Sequence, residues 1–258
     1  MNVLQNLTEL YNTLPLDSTY RDVAKGILEN LSKMRDVTIY DIAEITNSSR
    51  TTVWRMVQKM GYKTFSDFRH ALQAAVTQYT YYNRMLPTEA VCDPETILRA
   101  VTGQMQEAME VLDQCVTPAL LAELAEQLHM AHKIRFYTPF RLMFQSALQQ
   151  NLSMDGKDTA SFTLLPDMLE DAQELDEHSI LFISTIEFAE TMDVQEVFQH
   201  AFERGAVIWF AGDSHTRYRR YADRMLLDSG ASPFSWLTAL EATMLALSEQ
   251  YRKMYIDK

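Results

Sequence analysis

The chain has 258 residues, 47% hydrophobic and 22% charged, with a formal net charge of −12, which suits a folded chain of one or two domains. Its seven glycines never come closer than seven positions (205 and 212), and this excludes the glycine-rich dinucleotide fingerprint, the phosphate loop and the G-x-S-x-G nucleophile elbow. Cys92 and Cys115 stand apart, no apolar run approaches membrane-spanning length, and the opening MNVLQNLTEL lacks a basic-then-apolar leader pattern. A disulfide framework, a cysteine zinc site, a membrane span and a signal peptide are therefore not expected, and a cytoplasmic location is.

Charge is unevenly spread. Residues 1–80 hold 9 basic against 8 acidic side chains, and residues 81–258 hold 14 against 27. Between 45 and 72 lie Arg50, Arg55, Lys59, Lys63 and Arg69 with Asp67 as the one acid. A small basic island thus sits on an acidic chain, which is either a division of labour or a solvated helix face.

Leu4, Leu7, Leu10, Tyr11 and Leu14 repeat at helical spacing, and Pro15 ends that run. Val23, Ala24, Ile27, Leu28 and Leu31 form a second stripe. A third short helix is expected from Thr38 to Ile45 and a fourth from Ser49 to Met60, with Gly61 as its stop. Phe65, Phe68 and Leu72 open a fifth that runs towards Tyr82. Residues 83–95 break the periodicity with two prolines and read as a linker.

Beyond the linker, Ile97, Leu98, Val101, Met105, Ala108, Met109 and Leu112 mark a long amphipathic helix, and Pro118 opens its partner. From residue 133 short apolar runs (KIRFY, SFTLL, SILFIS, AVIWFAG, RMLLD) alternate with helical stretches. That texture predicts βαβ units around a parallel sheet, closed by a helix from Pro233 to Tyr255. The expected fold is a helical bundle at 1–82, a linker at 83–95 and an α/β sandwich at 96–258.

The segment TIYDIAEITNSSRTTVWRMVQKMGY has helix-turn-helix grammar. Ala43 is small where two helices must meet. Asn47 stands at the turn, where a left-handed residue is needed. Ser49 is suited to cap the next helix, and Val53 and Met56 face back onto the first. This leaves Arg50, Thr51, Thr52, Trp54, Arg55, Gln58 and Lys59 mostly outward. The N-terminal part of such a helix enters the major groove. Arg50 suits guanine, Gln58 adenine, and the threonine methyls thymine. Lys59 and Lys63 suit phosphates. Trp54 is open to two roles, a wedge against DNA or packing at the helix edge. Without DNA, the same pattern describes a three-helix packing unit.

Residues 39–72 resemble the N-terminal domain of MurR/RpiR-type transcriptional regulators. The resemblance is carried by Ile42-Ala43, Ser49-x-x-Thr52-Val53-x-Arg55, Met60-Gly61-Tyr62 and Phe65-x-x-Phe68-Arg69. Ser48 departs from it, since an apolar turn residue is usual there. The resemblance implies a sequence-specific regulator of carbohydrate genes, binding a double-stranded operator as a homodimer or tetramer. It also implies a C-terminal SIS domain, an αβα sandwich that takes phosphosugars. The order and length of 133–258 are similar to such a domain, and Ala222-Asp223 before RMLLD matches its framework.

The phosphosugar motifs do not match. Where the family has G-x-G-x-S this chain has Thr138-Pro139-Phe140-Arg141-Leu142, and where it has S-x-S-G-x-T this chain has Ser184-Thr185-Ile186-Glu187-Phe188-Ala189. A phosphate cradle wants bare N–H groups and no negative charge. Two readings stay open. Either the site is lost or remodelled, leaving a dimerisation module or a different effector, or it persists on Ser184, Thr185, Arg141 or the stretch Arg217-Tyr218-Arg219-Arg220. No catalytic set, metal site or cofactor is expected; His129 and His132, three apart, have no fixed third ligand. A regulator rather than an enzyme is the expectation, with an SIS-fold phosphosugar isomerase as the competing class.

Overall fold

The structure is a computed structural model that describes residues 3–82, 93–138, 142–185, 193–227 and 232–257. The described residues divide into two compact units, one before and one after the expected linker.

The first unit is helical: α1 (Val3–Thr13), α2 (Thr19–Glu29), a 3-10 turn (Leu31–Asp36), α3 (Ile39–Ile45), α4 (Arg50–Lys59) and α5 (Phe65–Tyr82). The expected stripes become its core. Leu7, Val23, Ala24, Ile27, Ile42, Val53, Met56, Val57, Phe68 and Leu72 are buried together. The 3-10 turn was not foreseen; it carries Met34 into that core. Gly26 was not foreseen either. A Cβ there would come within 2.7 Å of Thr46 Cγ2, so the bare backbone lets the end of α3 lie against α2.

The second unit opens with α6 (Pro94–Cys115), capped by Asp93, so the helix begins two residues inside the expected linker. Pro94 sits at its first position, where a missing N–H costs nothing. Next come α7 (Pro118–Met130), β1 (Lys133–Tyr137), α8 (Met143–Met154), β2 (Asp158–Phe162), α9 (Leu165–Ala172), β3 (Ser179–Ser184), α10 (Gln195–Glu203), β4 (Val207–Ala211), β5 (Arg224–Leu227) and α11 (Pro233–Tyr251). β2 lies three residues before the predicted SFTLL run, because Leu164 and Leu165 cap and start α9 instead. A turn of π-helix (Arg252–Ile256) follows α11.

Among the described residues the strands form a five-stranded parallel sheet in the order β2-β1-β3-β4-β5. Alternation sorts the strand side chains between two layers. Ile134, Phe136, Ile180, Phe182, Trp209 and Ala211 join the core built by α6, α7, α8 and α11. Their neighbours Arg135, Tyr137 and Phe210 face α9 and α10: Arg135 and Tyr137 bond to Asp171 of α9, and Phe198 of α10 meets Phe210 edge-on at 5.3 Å. Chain direction across the sheet reverses between β1 and β3, so their carboxyl ends bound the crevice where open α/β sheets take ligands. The expected fold class, a helix-turn-helix bundle plus a parallel-sheet α/β sandwich, is the one found.

Candidate nucleic-acid interface

Short-range bonds build the two-helix element. Thr38 and Asp41 bond reciprocally at the start of α3, a capping box. The hydrogen bonds from Thr38 hold the Asp41 carboxyl below the ordinary range. At the other end Asn47 adopts φ 47°. Its N–H donates to Glu44 O at 3.1 Å, and that of Ser48 to Ala43 O at 2.8 Å. This is the bond pair of a left-handed helix stop, so the asparagine does what glycine would. The position after such a stop is normally apolar and packs back on the helix. Ser48 instead pairs its hydroxyl with Thr46 Oγ1 at 2.8 Å, which accounts for the chain's departure there.

Ser49 caps α4: its Oγ accepts from the Thr52 N–H at 3.0 Å and pairs with Thr52 Oγ1 at 2.9 Å. Gly61 has φ 87° and closes the helix with bonds from Gly61 N to Gln58 O and Tyr62 N to Val57 O. Tyr62 then meets the Phe68 ring edge-on at 5.4 Å, and Phe65 lies 6.0 Å from it. This aromatic knot packs α5 on the recognition element, and burial pushes the Tyr62 phenol well above its ordinary range.

Arg50, Thr51, Arg55, Gln58 and Lys59 are exposed on one side of α4, and Lys63 is exposed just beyond it. Ser49 is exposed too, while Thr52 is half-buried with its hydroxyl engaged in the cap. Trp54 is found in the second of its two expected roles: it is half-buried and packs at the helix edge against the core of the unit. It adjoins buried Val53 and precedes buried Val57 by three, which puts it at the edge of the apolar face. Sequence reasoning missed Tyr40. It is 62% exposed, and its hydroxyl accepts a 2.9 Å hydrogen bond from Arg50 Nη1. The Arg50 guanidinium carbon lies 4.6 Å from the centre of its ring.

In the second unit, Thr138 and Ser184 are buried at the carboxyl ends of β1 and β3, and Thr185 N donates to Ala211 O at 3.0 Å. Arg141 and Glu187 lie outside the described residues. A Cβ on Gly212 would run into the Phe210 ring and the Thr185 hydroxyl, so the chain after β4 passes close over the end of β3. The start of α8 lies beyond the end of β1. Its N-cap, Leu142, offers no side-chain acceptor. The Glu241 carboxylate of α11 supplies one, accepting from Met143 N at 2.8 Å and Phe144 N at 2.9 Å. In the same turn Gln145, 1% exposed, donates to Ser161 Oγ at 2.9 Å while its Oε1 has no partner among the described residues. Glu241 carried no sequence signal, being 98 residues from Met143.

The arginines of the 217–220 stretch are engaged locally. Arg217 bonds to Asp193 at 2.7 Å, Arg219 donates to Ala222 O, and Arg220 stacks on and bonds to Tyr221. The backbone N–H of Gln195, then Arg217, hold the Asp193 carboxyl below its ordinary range. Asp223 of the Ala222-Asp223 pair ties β4 to β5, its Oδ2 accepting from Ile208 N at 2.8 Å. His129 bonds to Asp155 at 3.0 Å and stacks on Tyr255, while His132 packs edge-on against His178. Among the described residues no group of three or more His, Cys, Asp or Glu is placed to hold a metal ion, and no helix is long and apolar enough to cross a membrane.

Residues 1–79 match the model of the helix-turn-helix domain of the rpiR family. No curated protein sequence matches the chain. Among solved structures it is similar to the Vibrio vulnificus NanR protein, complexed there with ManNAc-6P, at 20% identity and TM-score 0.48 over 98% of this chain and 93% of that one. It is also similar to the sugar isomerase domain of an RpiR transcription factor from Sphaerobacter thermophilus, at 18% identity and TM-score 0.46 over 61% of this chain and 90% of that one. A third is a sugar-phosphate isomerase homologue from Listeria monocytogenes, at 12% identity and TM-score 0.44 over 64% and 99% of the two chains. Across residues 1–79 the chain is thus similar to the helix-turn-helix domain of the rpiR family.

Proposed function

We propose that this chain regulates transcription by reading an operator with α4, using Ser49, Arg50, Thr51, Thr52, Arg55, Gln58, Lys59 and Lys63. One observation carries the reading. The exposed side of a capped, sharply turned second helix presents Arg50, Arg55 and Lys59 and no acid. Cationic side chains meet the phosphates and the donors of Arg50 and Gln58 reach base edges. Residues 1–82 are the DNA-reading domain, the expected linker is shortened to end at the Asp93 cap, and the chain from Pro94 onward is the sensor and dimerisation domain, acting in the cytoplasm as a homodimer or tetramer on a two-fold site.

The crevice beside Thr138, Ser184, Thr185 and Gly212 is the proposed effector site, on an SIS-like domain that senses without catalysing. It is remodelled against a phosphosugar. The Glu241 carboxylate takes the two N–H groups at the start of α8 that a phosphate would use, and the arginines of 217–220 have local partners. The test of DNA reading is a mobility shift with a duplex that the wild-type chain selects from a random library. Replacing Arg50 and Arg55 together with alanine should weaken binding about 100-fold; unchanged affinity removes α4 as the reading helix.

A further inference from the structure

Tyr40 is a large aromatic side chain left 62% exposed on α3, ten residues before Arg50. It does no work in the core. Its ring lies under the Arg50 guanidinium at 4.6 Å, and its hydroxyl accepts from Arg50 Nη1 at 2.9 Å. Two contacts at different points on one planar group fix both its position and its tilt. Arg50 is the first residue of α4, directly after the Ser49 cap, so its root is rigid and the tyrosine holds its far end. A free arginine on a protein surface samples many rotamers, and freezing them opposes binding. A guanidinium already held on an aromatic face needs less ordering, and its remaining N–H groups stay available for base edges. The phenol keeps its own proton as well. While accepting from Arg50 it can donate to a phosphate oxygen, and the first helix of such a motif is the one that crosses the backbone.

We propose that Tyr40 is a positioning residue for DNA reading, which presets the Arg50 guanidinium for the major groove and ties it to the adjacent phosphate. The proposal rests on the reading of α4 as the recognition helix. It accounts for an exposed tyrosine that packing does not require, and it makes specificity at one base pair depend on a residue of the preceding helix.

The test is a double-mutant cycle on the full chain, with a duplex of about 20 base pairs selected by the wild type from a random library and a scrambled duplex of the same length as control. The variants are Tyr40→Ala, Tyr40→Phe, Arg50→Ala and the Tyr40→Ala/Arg50→Ala pair. Tyr40→Ala should weaken binding to the selected duplex by about 2- to 5-fold, the size of an exposed cation–π contact, and weaken the scrambled duplex less, by the loss of the phosphate contact alone. Tyr40→Phe keeps the ring and should recover part of that loss. In the Arg50→Ala background the further loss on removing Tyr40 should shrink to the phosphate contact alone. A general folding defect would lower both duplexes equally and would not be relieved by phenylalanine; that result overturns the proposal. Arg50→Ala weakened with Tyr40→Ala at wild-type affinity, or fully additive losses, overturns the role of Tyr40 and leaves α4 standing. Arg50→Ala at wild-type affinity overturns Arg50 as a reader and Tyr40 with it.

Discussion

The two units solve opposite problems at the start of a helix. In the first, α4 is capped by its own neighbour, Ser49, and keeps a face of exposed cationic side chains towards solvent. In the second, α8 has no local cap, and its first N–H groups are taken by a carboxylate nearly a hundred residues further along the chain. One helix start is finished locally and left open for an outside anion. The other is finished at long range by an anion of the protein itself. The α4 site is therefore its exposed cationic face, while at α8 the protein's own carboxylate already occupies the N–H groups that an outside anion would meet.

The difference can be broken in several ways, beginning with the largest effect. Arg135 ties the second unit together on the α9 side of the sheet, bonding Asp158 at 2.9 Å and Asp171 at 3.0 Å with 8% of its side chain exposed. The hydrogen bond and charge of Arg135 hold the Asp158 carboxyl below its ordinary range. Arg135→Ala leaves Asp171 without its cation and should cost about 3 kcal/mol of stability, less than a fully buried triad because Asp158 is open to water. Equilibrium denaturation checks this; a loss within error would mean that the triad does not hold the sheet to α9.

Smaller effects separate local from distant order. Asn47→Ala forces alanine into a left-handed conformation and should cost about 1 kcal/mol, while Asn47→Gly should be close to neutral. Thermal unfolding of the two variants compares them; equal melting temperatures would mean the turn is not under backbone control. In the second unit, Glu241→Gln keeps the size but removes the charge and one of the two acceptor oxygens, and should cost about 1 kcal/mol. A panel of sugar phosphates should leave the wild-type melting temperature unchanged. A rise of several degrees with one compound, lost in Ser184→Ala, would show that the phosphosugar site persists, since a ligand stabilises the state it binds.

The same contrast explains what the sequence reveals. Ser49, Asn47, Gly61 and the capping box act within five residues, so their chemistry is legible in the string. The strand SILFIS is legible because both faces of a parallel sheet are buried and its central apolar run is continuous, and KIRFY because Ile134, Phe136 and Tyr137 still cluster around Arg135. β2 is edge-placed and polar (DTASF), so its register was drawn towards the neighbouring apolar residues that start α9. Trp54 reads both ways because a tryptophan at the rim of a stripe fits either face. Gly26 was readable as a glycine inside an amphipathic stripe, yet its partner Thr46 lies twenty residues away. Tyr40 needed the α3–α4 angle before its ring met Arg50. Glu241 needed the whole second unit to fold before it reached α8.

The central claim is that the N-terminal end of α4 lies in the major groove. Dimethyl sulfate methylates guanine N7, an atom exposed in that groove, so protection on the selected duplex reads the claim directly. The account predicts guanine N7 protection within each half-site by the wild-type chain, lost at one guanine per half-site in Arg50→Ala while the remaining contacts still hold the DNA. Guanines that the wild-type chain leaves fully reactive, or protection that survives unchanged in both Arg50→Ala and Arg55→Ala, would contradict it.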